Sequence, residues 1–512
     1  MRLNESNRRW WTLGAMCFAL FMVMLDNTAV NVALPSIQAD LDATIAGLEW
    51  TVNAYTLTFA VLLVTGGRLG DIFGRRTVFL AGVLVFASAS AFIGLAQSQA
   101  WLVAGRLVQG AGAALMMPGT LSIISNAFPP QERGKAIGTW AGVSGLALAI
   151  GPLVGGFLVE HVAWQSIFFV NLPVAALCVV VTLVAAENSR DETVARTVDI
   201  PGVATLTVGL AALVLALIEG NAWGWGSARI VGLLMLAAVA LAAFLAVERR
   251  VRAPMVDMAF FRSRTFLGVS LVAFTVTFAM LASFFFVTLY MQNVLGFSPL
   301  EAGIRALPST VMVAGAGPIA GRLTDRIGAR TPLVTGLVLV ALGLLWQSRV
   351  EVDTSYGFLV GAFVIIGIGI GCVMSPMSTA AMNAVAREKA GVASGVLSMS
   401  RMVGGTFGVA ATGALVTTIG RARIDELLPG LPGAARDRLA EALGAGSVSD
   451  GGAPQVTAAV QQAFVDALST GMVVAAGIVL VGALLAGALV ERGPTRRAAE
   501  TADARPVAES VG

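Results

Sequence analysis

Apolar residues along this chain gather into runs of roughly 17 to 28 separated by short polar stretches, and about 20 suffice to carry a helix across the hydrocarbon layer of a bilayer. Fourteen such runs stand out. The first seven lie near 12–34, 49–69, 79–96, 101–125, 136–158, 166–186 and 201–219. The remainder lie near 230–247, 266–290, 303–320, 332–347, 356–377, 392–419 and 469–490. Inside a membrane the backbone polar groups must be satisfied within their own segment, so each run predicts a helix. The expected class is an all-α membrane protein.

Composition strengthens this reading. Of 512 residues 57% are hydrophobic and 12% charged, whereas soluble domains carry about 25% charged residues. The three cysteines, Cys17, Cys178 and Cys372, fall in three different apolar runs and predict no disulfide framework. His161 is the sole histidine, which excludes a histidine metal site or a Ser-His-Asp group built on more than one ring. No cofactor or metal is expected. The net charge of +3 is spread over short loops, without the basic patch that nucleic acid requires.

The distribution of charge says more than its sum. With the N-terminus placed in the cytoplasm, most of the 33 Lys and Arg residues fall on the even loops and the tails, among them Arg68, Arg75, Arg76, Arg249, Arg250 and Arg330. That is the positive-inside preference, and it predicts that both termini are cytoplasmic. The run after Arg2, Arg8 and Arg9 is too long for a cleaved leader and reads as an uncleaved first span.

One motif occurs twice. GRLGDIFGRR at Gly67 to Arg76 recurs as GRLTDRIGAR at Gly321 to Arg330, ending spans two and ten. The halves then match as six plus six helices if spans seven and eight are an insertion. Such repeats build transporters whose substrate site lies between the halves near the bilayer midplane. The division expected is an N-terminal six-helix bundle at 1–190, two inserted linker helices with a basic amphipathic connection at 191–262, and a C-terminal bundle at 263–490 with an outer loop at 420–467. A cytoplasmic tail follows at 491–512. The basic stretch Arg249 to Phe266, with Phe260 and Phe261 together, is expected to lie along the inner membrane surface.

These motifs resemble those of the major facilitator superfamily, in particular its fourteen-span drug:proton antiporters of the EmrB/QacA type, along nearly the whole chain. LDNTAVNVALP at Leu25 to Pro35 is similar to the span-one signature, and WTVNAY at Trp50 to Tyr55 to the start of span two. The loop signature Gly67, Leu69, Asp71, Gly74, Arg75 and Arg76 is complete, and Arg106, Gln109, Gly110 and Gly112 match the fourth-span motif. GVSGLALAIGPLVGG at Gly142 to Gly156 resembles the glycine-proline motif that the superfamily's exporters carry. The resemblance implies the major facilitator fold, two six-helix bundles plus two inserted helices. It implies no enzyme, but export of amphiphilic drugs or antibiotics in exchange for protons from the inner membrane of a bacterium. A dedicated exporter or importer of one metabolite is the alternative. A monomer is expected to suffice, and a periplasmic adaptor is left open.

Individual residues take roles within that frame. Asp26 lies deep in an apolar run, where a carboxylate costs roughly 2.5 to 3.5 kcal/mol; it is either the proton-coupling group or half of a static pair. Arg106 sits at a depth within about 5 Å of Asp26, from a rise of 1.5 Å per residue, and either pairs with it or snorkels to the headgroups. By the resemblance Asp71 acts on a helix of the other half and favours the outward-facing state, Arg75 pairs with acids of its own half, and Arg76 anchors at the inner surface; Asp325 repeats Asp71. Gly67 and Gly74 belong to the same gating motif. Gly151, Pro152, Gly155 and Gly156 make a close, bendable seam, or ordinary glycine packing. Asn31, Asn53, Tyr55 and Gln109, with Phe284 and Met291, are cavity candidates that equally suit plain interhelical contacts. Arg401, near the midplane with no acid within one turn, either faces the cavity and favours anionic or neutral substrates or ties to carbonyls.

Overall fold

The computed structural model describes residues 5–41, 45–190, 199–251, 256, 258–297, 299–386, 389–444 and 454–493. Sixteen α-helices occupy them. The first half holds α1 (Glu5–Leu41), α2 (Ile45–Phe73), α3 (Arg75–Gly94), α4 (Gln99–Ala127), α5 (Arg133–His161), α6 (Ser166–Phe169) and α7 (Asn171–Ala185). Two helices follow, α8 (Ile200–Trp223) and α9 (Ala228–Glu248). The second half holds α10 (Arg264–Asn293), α11 (Pro299–Ile327), α12 (Arg330–Gln347), α13 (Tyr356–Asn383), α14 (Ala390–Leu427), α15 (Gly433–Gly444) and α16 (Pro454–Leu489).

Local chemistry sets many of these boundaries. Ser98, Asp199, Ser227 and Ser263 cap α4, α8, α9 and α10 by accepting backbone N–H bonds from the first turn, which satisfies donors that a helix start leaves unpaired. Gly74 and Gly328 adopt φ of 102° and 88° between consecutive spans, a left-handed region open to glycine. They occupy the same place in the two motif copies. The sixth span breaks between α6 and α7 because Pro173 has no N–H to donate to the Phe169 carbonyl.

Twelve helices are long and apolar enough to cross a membrane by length and composition, among the described residues. α5 and α11 are not among those twelve, but at 29 residues each they span about 43 Å. With α6 and α7 as one broken span, fourteen crossings result. α5 packs on α11, and α2 on α14. These two pairings join the halves. α8 packs on both α2 and α14, and α9 on α8. α9 therefore turns a wide apolar surface outward, with Met235 and Val239 64% and 66% exposed, as a lipid-facing helix should.

The starts of α1 and α10 and the ends of α7, α11 and α16 gather at one face of the bundle, here called the terminal face. Arg8 reaches Glu187 at 2.7 Å and Arg9 reaches Glu132 at 2.9 Å. The Glu491 amide donates to Thr265 Oγ1 at 3.3 Å.

Two expectations change in detail. The outer stretch is largely helical: α14 runs on to Leu427 and α16 begins at Pro454, with α15 between them. Arg421–Asp437 at 2.6 Å, Arg436–Asp425 at 2.7 Å and Arg423–Asp466 at 3.1 Å tie these extensions together. In the connection before α10, Phe260 is buried against Phe266 at 5.4 Å while only Phe261 is exposed, so one of the two aromatic rings packs on the bundle and not toward a membrane surface. The tail beyond residue 493 and residues 445–453 of the outer loop lie outside the described residues.

Candidate functional site

Asp26 sits in α1 with 1% of its surface exposed, inside the first bundle. Its Oδ2 meets Arg106 Nη1 of α4 at 2.5 Å. Gln109 Nε2, one turn further along α4, donates to Asp26 Oδ1 at 2.8 Å, and Gln109 Oε1 accepts from Arg106 Nη1 at 2.7 Å. Asn171 Nδ2 at the start of α7 donates to Asp26 Oδ1 at 3.2 Å. Ser90 Oγ of α3 accepts from Gln109 at 2.9 Å and from Asn171 at 3.3 Å. Arg106 Nε donates to the Thr51 carbonyl of α2 at 2.9 Å, and its guanidinium lies 4.3 Å from the centre of the Tyr55 ring. One ion pair thus draws together five of the helices of its half.

A buried pair recovers its desolvation cost only when the remaining lone pairs and donors are satisfied. Here both carboxylate oxygens and two guanidinium nitrogens are engaged. Removing either charge would strand the other in an apolar bundle.

Three assignments to the substrate cavity are corrected. Gln109 and Tyr55 are 0% and 1% exposed; Gln109 is hydrogen-bonded within the Asp26–Arg106 network and the Tyr55 ring lies against Arg106. The helical turn that brings Arg106 to Asp26 carries Gln109 to the same face. Met291 is likewise corrected: at 1% exposure it is packed into the apolar core. Phe284 is 40% exposed on α10, and Asn53 is half-buried on α2 outside the network. The side chains of Asn31 and Pro152 lie outside the described residues. Ser90 and Asn171 were not singled out in the sequence. Their only signal is polarity within apolar runs.

At the terminal face the two motif copies make the same contact. Asp71, at the end of α2, accepts from the Gly391 and Val392 amides in the first turn of α14 at 3.0 and 2.9 Å. Asp325, at the end of α11, accepts from the Gly134 and Lys135 amides in the first turn of α5 at 3.1 and 3.2 Å. In both cases an acid of one half occupies the positive end of a helix of the other, where a carboxylate is favoured. The copies differ in support. Arg75 Nε and Nη2 donate to Asp71 Oδ1 at 3.0 and 2.9 Å, while Ala329 stands in the matching place of the second copy. Arg76 Nη1 donates to the Ala186 carbonyl at 3.1 Å.

Glycines let the halves come this close. A Cβ on Gly67 would collide with the Gly391 carbonyl, and Cβ atoms on Gly134 and Gly321 would collide with each other's backbone. Gly138 leaves only 2.8 Å to the Gly317 carbonyl. Across the same seam Arg133 Nη1 donates to Asn383 Oδ1 at 2.8 Å. The glycine-rich stretch of α5 faces α1: a Cβ on Gly151 would strike Thr28, and one on Gly155 would lie 2.9 Å from Ala29 Cα. Gly156 is different, since its nearest neighbour would be Val32 Cγ1 at an ordinary 3.9 Å.

A sequence profile of the Major Facilitator Superfamily matches residues 16–409. The tetracenomycin C resistance and export protein of Streptomyces glaucescens is 39% identical over 422 residues, 82% of this chain and 78% of that protein. The multidrug resistance protein Stp of Mycobacterium tuberculosis is 40% identical over 406 residues, 79% of this chain and 75% of that protein. Among solved structures, the human organic anion transporter MFSD10 shares the fold with a TM-score of 0.60 at 14% identity, over 93% of this chain and 99% of the other.

Proposed function

Because this chain belongs to the major facilitator superfamily, in its branch of fourteen-span drug efflux proteins, we propose that it is a proton-coupled antiporter that exports amphiphilic drugs or antibiotics across a bacterial cytoplasmic membrane. The family holds transporters and not enzymes. The terminal face is taken as cytoplasmic, as the excess of Lys and Arg on its loops suggests. Closure of the two halves there is what an outward-facing state needs. One chain carries both bundles and both terminal contacts, so the monomer is taken as the working unit. The names of the relatives, one for tetracenomycin C and one for multidrug resistance, support the substrate class.

The observation that carries this reading is the buried Asp26–Arg106 pair at 2.5 Å. A proton arriving from outside neutralises the carboxylate. Arg106 then keeps only the Thr51 carbonyl, Gln109 Oε1 and the Tyr55 face. The contacts that hold α1 to α4 weaken. α1 is seated on α5 through Thr28 and Ala29 against Gly151 and Gly155, and the first turn of α5 is held by Asp325. Movement of α1 is therefore transmitted to the seam through tightly packed backbone, and the seam opens inward. Return to the outward-facing state with substrate bound requires Asp26 to lose its proton to the cytoplasm and recover Arg106. One proton then enters for each substrate that leaves.

The test is transport in everted membrane vesicles energised to an acidic interior. Adding a substrate drug should release protons from the vesicles, and an uncoupler should abolish drug uptake. Uptake that ignores an imposed pH gradient would contradict the proposal.

A further inference from the structure

α14 touches its neighbours along two ridges. Gly391 and Gly395 pack on α2, where a Cβ on Gly395 would lie 2.9 Å from the Leu63 carbonyl oxygen. Gly404 and Gly408 pack on α10, where Cβ atoms would lie 2.7 Å from Phe274 Cα and 2.8 Å from Phe278 Cα. At about 100° per residue Arg401 lies on the α10 side of α14, between Gly408 and Gly405, where a Cβ on Gly405 would meet the Leu281 side chain. α2 belongs to one half and α10 to the other, so α14 stands at the boundary between the halves. Phe407 points the other way and packs on Phe274 and Phe278 with ring centres 6.0 Å apart in both cases.

Arg401 stands about 16 Å along α14 from its first residue, close to the middle of a bilayer. Arg401 as a whole is half-buried. Among the described residues no hydrogen bond or ion pair reaches the guanidinium, and the nearest membrane-embedded acid in the other half, Asp26, is held by Arg106. The backbone is fixed all the same, since Thr277 Oγ1 donates to the Arg401 carbonyl at 2.8 Å. Two turns beyond Thr277 on the same face of α10, Phe284 is 40% exposed. An unmatched cation at this depth is costly unless something supplies its counter-charge.

We propose that Arg401 is a substrate-binding residue that receives an acidic group, a carboxylate or ionised phenol carried on an apolar aromatic body. Building on the export reading above, it names the substrate class as organic anions. The forked guanidinium presents two donors to the acid. Phe284, 40% exposed, offers the ring body an apolar wall. Cationic amphiphiles are disfavoured by the same fixed charge.

The test uses the purified full-length protein in lipid nanodiscs and two fluorescent probes of one shape, 9-anthracenecarboxylate and its methyl ester, with binding followed by fluorescence polarisation. Wild type should bind the anion at least about tenfold more tightly than the ester, a difference of one charge-assisted contact. Arg401→Ala should lose that margin with ester binding unchanged, and Arg401→Lys should keep part of it. Arg401→Ala binding the anion as wild type does, equal losses for both probes, or a wild type that binds the ester as well as the anion, or neither, overturns the proposal. Failure of the export reading would show separately, as a probe that binds but is not moved by a pH gradient.

Discussion

Replacing Asp71 by Asn tests whether the acid at the terminal face holds the two halves closed. The carboxylate accepts two cross-seam amides at 3.0 and 2.9 Å and is 1% exposed. An amide oxygen can keep one of those bonds, and its NH2 end repels the second donor. A hydrogen bond to a buried charged group contributes about 1.5–3 kcal/mol, so the closed arrangement should lose about 2 kcal/mol, a roughly 30-fold shift toward opening. Asp325→Asn should shift it less, because its bonds are longer at 3.1 and 3.2 Å and it is more exposed. Spin labels at exposed Glu187 and Glu491, one in each half, allow the opening to be read as a longer-distance population by electron–electron double resonance. Asp71→Asn should raise that population strongly and Asp325→Asn modestly. Distance distributions unchanged from wild type in both variants would refute the proposed closure.

Asn171→Leu removes one of the two amide donors to Asp26 Oδ1 and should slow transport by about tenfold, from a loss near 1.4 kcal/mol, while membrane insertion stays normal; unchanged vesicle transport would count against a role for Asn171. Gly155→Val should push on Ala29, whose Cβ is already 3.0 Å from an added Cβ, and cost about 1–3 kcal/mol of overpacking. It should lower the melting midpoint in a size-exclusion thermostability assay and abolish transport, whereas Gly156→Ala, with 3.9 Å of room, should do neither. Arg421→Ala breaks an exposed outer pair with Asp437; such pairs contribute about 0–1 kcal/mol, so transport and the melting midpoint should both hold.

Much of the fold is visible in the sequence because one physical requirement, about 20 apolar residues per crossing, repeats fourteen times along the chain. The ends of the helices are less visible. α1, α14 and α16 continue past their apolar runs into charged turns that are as good at forming helix as the membrane part. Asp26 and Arg106 stand out because charge is rare at that depth, and their depths along two helices match. Ser90 and Asn171 do not stand out, since a Ser or Asn in an apolar run is common and gains meaning only when its neighbours across the helix interface are known. The same gap explains Gln109, Tyr55 and Met291. Sequence position tells which helix a residue is on, but which face meets the cavity depends on packing. Gly67 was expected from the motif. Its partner Gly391, and the pair Gly134 and Gly321 that mirrors it, follow only from the pairing of α2 with α14 and α5 with α11.

The most direct test of the coupling itself is the proton released when substrate binds to purified protein in weakly buffered solution, followed with a pH indicator dye in wild type and in Asp26→Asn. Wild type should release protons in proportion to substrate bound, and Asp26→Asn should bind the same substrate with no release. Equal proton release by both proteins would contradict the assignment of Asp26 as the coupling acid.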